Sequence, residues 1–159
     1  MASFAYNLAA TEIFQGGIDP DTDTLKVMLV GTGYTPDQDH DVIDNGANDA
    51  TDPSFSEIVA TGYTGGFGGA GRKTAAIVVA EDDANNRALI TITDLTWASL
   101  GGATNDTIAT AILVKEITDD TASRLICQWD VADTATNGSP ITLDFDATNG
   151  AIRVNCVST

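Results

Sequence analysis

From Leu25 onward, apolar side chains recur at every second position. Leu25, Val27 and Leu29 share one face; Ala88, Ile90 and Ile92 share another, with Thr91 and Thr93 opposite; Leu125, Cys127, Trp129 and Val131 line a third. Ile141, Leu143 and Phe145, then Ile152, Val154 and Cys156, continue the series. A period of two belongs to strands, because successive side chains of a strand point to opposite faces of the sheet. Residues 74–81 and 108–116 are apolar with weaker alternation, which predicts central strands covered on both sides. Residues 3–15 follow another rule: Phe4, Leu8, Ala9, Glu12 and Ile13 recur at helical spacing, with Ser3 placed to cap the start and Gly16-Gly17 to stop it.

The segments between these runs carry turn chemistry. Asn149-Gly150 separates the last two runs as a hairpin turn would, Asn137-Gly138-Ser139-Pro140 precedes them, and Asn85-Asn86 divides the runs on either side of it. The pattern predicts one all-β domain over residues 1–159, an antiparallel β-sandwich or jelly roll of about seven to eight strands with one short N-terminal helix. Two connections stand out, an acidic loop over residues 31–54 and a glycine-rich loop over 62–72. Loops as long as the first are functional or disordered more often than simple connections are.

Composition narrows the partners. The chain has 159 residues, enough for a core that needs no staples, and 23 acidic against 7 basic side chains give a net charge of −16. Phosphate backbones and anionic lipid repel such a surface, so neither nucleic acid nor membrane is expected as a partner. Ten of the acids fall between Asp19 and Glu57, where Lys26 is the only lysine or arginine. Such a face is either simply solvated or a docking surface for a basic partner. Cys127 and Cys156 sit in apolar runs and are expected to be free thiols in a reducing compartment. No signal sequence is visible and no apolar run reaches the roughly 18 residues that cross a bilayer, so synthesis and assembly in a cytoplasm are expected.

Candidate catalytic chemistry fails on its context. Gly66 to Thr74 has the glycines of a phosphate-binding loop, but Arg72 stands where the lysine belongs and a strand follows where a helix is needed. The alternative is a flexible loop or a bulge that allows close approach of a neighbouring chain. Asp19, Asp21 and Asp23 have the alternate spacing of a calcium loop, yet Thr24 and Val30 replace its glycine and glutamate. Asp37, Asp39 and Asp41, with Asp44, remain calcium candidates in an irregular loop, against the favoured reading of solvated turn aspartates. His40 is the only histidine and has no serine or cysteine near it in sequence, so no nucleophilic relay is evident, and the soft ligands are too few for zinc. Trp129 keeps phase with core positions, whereas Trp97 could be buried or form a sugar-stacking platform. No enzyme, cofactor or metal is expected.

One set of motifs points to a family. Ile18-Asp19 through Asp23-Thr24-Leu25-Lys26-Val27-Met28-Leu29-Val30, Tyr34-Thr35-Pro36-Asp37, Asp39-His40, Gly62-Tyr63-Thr64, Asp94-Leu95-Thr96-Trp97 and Ala111-Ile112-Leu113-Val114-Lys115 resemble, in order, a family of small virion structural proteins of tailed bacteriophages. The resemblance implies a non-enzymatic decoration, or cement, protein on the capsid exterior, binding the major capsid protein as a homotrimer and stabilising the mature head. The contacts expected from it are the helix around Phe4, Tyr6 and Leu8, the loop carrying Tyr34, Pro36 and His40, and Tyr63 and Phe67 of the glycine-rich stretch. Packing of Phe4 and Leu8 onto their own domain is the plainer alternative. Gly65 to Arg72 and Ala151 to Thr159 depart from the family pattern. A tail or head-to-tail component and a carbohydrate-binding attachment module are the rival readings.

Overall fold

The computed structural model of the chain describes residues 3–155. They form β1 (Phe4–Ala5), α1 (Asn7–Gln15), β2 (Leu25–Gly31), β3 (Lys73–Thr74), β4 (Ile77–Asp82), β5 (Arg87–Ile92), β6 (Leu95–Trp97), β7 (Thr107–Lys115), β8 (Arg124–Ala135), β9 (Ile141–Leu143) and β10 (Ile152–Asn155). A five-stranded sheet runs β1-β8-β7-β2-β3, a three-stranded sheet runs β10-β5-β4, and β6 pairs with β9. Every pairing is antiparallel. One apolar cluster joins them: Val27, Leu29, Ile112, Leu113 and Ile126 of the large sheet pack with Ile92, Leu95, Trp97 and Leu143 of the smaller ones. The fold is therefore all-β and sandwich-like, with one short helix. No helix among the described residues is long and apolar enough to cross a membrane.

The middle of the large sheet is buried on both faces. Every residue from Ile108 to Val114 is buried, as are Val27 to Gly31, which fits continuous apolar runs better than strict alternation. The outer edge of β2 is closed by pieces of chain. Lys26 and Val27 pair with Thr74 and Lys73, and the Ala75 amide donates to the Leu25 carbonyl at 2.9 Å. Further along, the Leu29 amide donates to the Tyr63 hydroxyl at 3.1 Å, and the Ile58 and Gly31 amides bond the Leu29 and Ser56 carbonyls. β3 is too short to cover β2, so a side-chain hydroxyl and a second loop complete the row of partners.

Several expectations need correction. The helix begins at Asn7, not Ser3: Phe4 and Ala5 pair with Gln128 and Cys127 as a strand, and the Ser3 hydroxyl accepts the Asp130 amide instead of capping. Its end is as read, with Gly16 left-handed at φ 75° and its N–H turned back on the last helical carbonyls. Residues 74–81 are not one covered central strand. The chain changes sheets at Ala75 and Ala76, and β4 is the exposed edge of the three-stranded sheet. Asn149-Gly150 makes a turn closed by the Gly150 amide on the Asp146 carbonyl, but it joins no hairpin, since β9 pairs with β6 and β10 with β5. A hairpin does lie at Asn85-Asn86, where Asn86 takes φ 51° between β4 and β5. Short strands β1 and β6 and the division of 74–81 account for the larger number of strands. Cys127 is a buried free thiol whose pKa burial raises, and Cys156 lies outside the described residues.

Candidate interaction surface

The acidic loop is pinned rather than loose. Val42 bridges to Arg124, the Ile43 amide donates to the Ser123 carbonyl at 3.1 Å, and the Leu125 amide to the Asp41 carbonyl at 3.2 Å, so residues 41–43 extend the large sheet beside the start of β8. Closer to the helix, the Asn7 amide donates to the Gln38 carbonyl and the Asn7 side chain to Asp39 Oδ1. The loop carboxylates serve its turns: Asp37 Oδ1 accepts the Asp39 amide, Asp44 Oδ1 the Gly46 amide and Asp52 Oδ1 the Ser54 amide. Among the described residues, no three histidine, cysteine, aspartate or glutamate side chains are grouped so as to hold a metal ion. The calcium candidates Asp37, Asp39 and Asp41 thus form no such cage.

Three of the expected contact residues come together, but inside the molecule. The Tyr6 and Tyr34 hydroxyls are 3.0 Å apart and buried, and the Tyr34 hydroxyl lies 2.9 Å from Nδ1 of the half-buried His40. Phe4 meets the Tyr6 ring edge-on at 5.3 Å. Burial pushes the Tyr34 phenol up to about 12, with the Asp37 and Asp52 carboxylates adding to the rise; burial raises Tyr6 further. Both phenols therefore stay protonated at neutral pH, where they act as hydrogen-bonding groups that fasten the loop to the helix entrance. Tyr6, Tyr34 and Tyr63 are corrected as contact residues, because their rings and hydroxyls are spent on the protein's own core. Phe4, Leu8 and Pro36 are half-buried, whereas Phe67 is exposed.

The glycine-rich loop wraps an ion cluster. Arg72, whose side chain is fully buried, uses all five donors: Nε and Nη2 on Glu57, Nη1 and Nη2 on Asp120, and Nη1 on Glu116. Its distances to Glu57 are 2.9 and 2.7 Å and to Asp120 2.6 and 2.8 Å. Lys26 pairs with the second oxygen of Glu116. The Gly66 amide and the Tyr63 hydroxyl complete the shell of Glu57, and the Gly68 amide binds Glu116. Burial works against the Arg72 charge, but its bonds to Glu57 and Asp120 outweigh this and raise its pKa above the ordinary arginine value. The glycines allow close approach within this chain: a Cβ on Gly71 would stand 2.7 Å from the Tyr63 ring.

Above this framework lie exposed apolar side chains. Val59 is 71% exposed, Phe55 61% and Phe67 47%. They sit on the two segments, 54–59 and 63–67, that flank a shallow recess of about 260 Å³ floored by Ile58 and Tyr63. Trp97 is buried, with its indole N–H donating to the Gly71 carbonyl at 2.8 Å and Lys73 over its ring, so it offers no platform for a sugar. Trp129 is half-buried, edge-on to Phe145 at 5.0 Å. Sequence reasoning missed Arg72 as the organising residue. The available signal was a lone arginine at the end of a glycine run in a chain poor in bases. Phe55 and Val59 gave no signal, since a lone Phe55 and the short Ile58-Val59-Ala60 run fit no period. Compared with protein-family models, with curated proteins and with solved structures, the chain matches none.

Proposed function

We propose that this chain is a non-enzymatic structural protein of a tailed-bacteriophage virion, of the capsid decoration type, that binds the outer surface of the major capsid lattice. The observation that carries the reading is a set of exposed apolar residues, Phe55, Val59 and Phe67, on loops made rigid by the Arg72 cluster and the pinned acidic segment. Rigid loops bind without an ordering cost, and exposed apolar side chains held on them offer a contact surface. The resemblance of the sequence motifs to phage virion proteins is what points these residues to a capsid as their partner. As a trimer gripping the mature lattice more tightly than its precursor, the protein stabilises the mature head by mass action.

Cryo-electron microscopy of particles from the parent phage tests this. Density for the chain in trimers on the outer capsid, with residues 54–67 against the shell, is the expected result. Density confined to tail or connector, or none on the particle, overturns it. The buried Trp97 and the lack of a metal-holding group among the described residues give the carbohydrate-binding alternative no support.

A further inference from the structure

Sheet edges expose unpaired backbone donors and acceptors, and proteins blunt them with proline, lysine, bulges or a covering loop. Among the described residues, β4 has none of these. Its sequence is Ile77-Val78-Val79-Ala80-Glu81-Asp82, its six pairs with β5 run without a register shift, and Val78 and Val79 are 60% and 43% exposed. The Thr93 amide donates to the Ala76 carbonyl, which fixes the phase of the ladder. By the alternation of antiparallel pairing, Val78, Ala80 and Asp82 turn their backbone groups toward β5, and Ile77, Val79 and Glu81 turn theirs outward. No other described strand pairs with that side.

Two neighbouring features fit the same occupant. Val79 is also on the wall of an apolar cleft of about 450 Å³ between α1 and the three-stranded sheet, together with Ile13, Phe14, Ile90, Ile152 and Val154. Among the described residues, the only charged group lining this cleft is Arg153, in a chain with 23 acids. At the end of the edge, Glu81 and Asp83 are exposed and their carboxylates have no partner among the described residues, whereas Asp82 is held by Arg87.

We propose that the outer edge of β4 is a strand-addition site for an extended, alternately apolar segment of another protein, carrying a basic residue beside Glu81 and Asp83. The row of outward amides and carbonyls selects an extended backbone, because a helix has already spent those groups internally. The cleft beside Val79 takes the apolar side chains, and the free carboxylates select the basic flank. A second copy of this chain is a poorer occupant, since it carries a net charge of −16 of its own and would set Glu81 and Asp83 against an acidic partner. The site stands whether or not the chain resides on a capsid.

The test is a titration of the full chain with the blocked peptide Lys-Val-Thr-Val-Thr-Val-Lys, read by residue-resolved amide hydrogen exchange. Slowed exchange at Ile77, Val79 and Glu81, with no further change at Val78 and Ala80, is expected. Val79→Pro removes one outward N–H without touching the β5 ladder and should weaken binding about tenfold or more, as loss of a backbone bond at an edge implies. Glu81→Lys, which needs no backbone change, should weaken it as well and serves if the proline variant does not fold. Unchanged exchange with peptide in excess overturns the proposal. So does protection that appears without peptide and grows with protein concentration, which would identify a second copy as the occupant.

Discussion

Glu57 and Arg72, 15 positions apart, meet in a two-bond carboxylate–guanidinium pair that closes the glycine-rich loop onto the large sheet. Glu57 also bridges to Val30 through its backbone. One side chain on that loop thus fixes a strand edge, the turn at Asp120 and the end of β7.

Replacing Arg72 by methionine should cost about 3–5 kcal/mol, because three carboxylates lose the cation that compensates their burial. Arg72→Lys should recover little, since an ammonium cannot reproduce a five-donor fork. Urea unfolding of the variants against the parent measures both; a loss below about 1 kcal/mol for the methionine variant would contradict the role given to the cluster.

Acid should open the same cluster. Burial tends to raise the Glu116 carboxyl, but its bonds to Lys26, the Gly68 amide and Arg72 hold it below the ordinary glutamate value. A depressed folded-state pKa stabilises the protein above the unfolded value near about 4.3, and this contribution disappears as pH falls through the folded value. In unfolding experiments between neutral and strongly acid pH, Glu116→Gln should therefore show a lower plateau and a shallower acid limb. Parallel curves would refute the assignment.

Tyr34→Phe and Tyr6→Phe should differ in cost. Removing the Tyr34 hydroxyl leaves that of Tyr6 buried with no other hydrogen-bond partner among the described residues, a loss of about 1–3 kcal/mol. Removing the Tyr6 hydroxyl leaves Tyr34 its bond to His40, so a smaller loss, about 0.5–1.5 kcal/mol, is expected. Thermal denaturation of the two variants gives the order directly.

Gly71→Ala should destabilise by about 1–3 kcal/mol through overpacking against Tyr63. Gly16→Ala meets open space and should cost about 1–2 kcal/mol, from its left-handed backbone alone. Only the first should speed exchange at the Leu29 amide, whose acceptor is the displaced Tyr63 hydroxyl.

Much of the sheet framework was legible because β2, β5, β7 and β8 bury apolar runs long enough to read as strands, even where burial on both faces erases the alternation. The two-residue strands β1 and β3 were not, since two residues carry no period and owe their state to a longer partner. β4 misled for a different reason: Ile77-Val78-Val79-Ala80 reads as interior, yet nothing in the described chain covers its outer side. In the site, Tyr6, Tyr34 and Tyr63 entered as contacts implied by the family resemblance, and burial then gave them an internal role. Arg72 was overlooked because its three carboxylate partners, Glu57, Glu116 and Asp120, are scattered along the sequence.

The pairing of β2 with β7 also bears on synthesis. Lys26 and Glu116, which meet beside that pairing, are 90 positions apart. At about 5–20 residues per second, the Leu25–Gly31 segment waits roughly 5–18 s for its principal neighbour to leave the ribosome. For that interval an apolar run of a nascent acidic chain lacks its principal partner, which makes it a segment for a holding chaperone to grip.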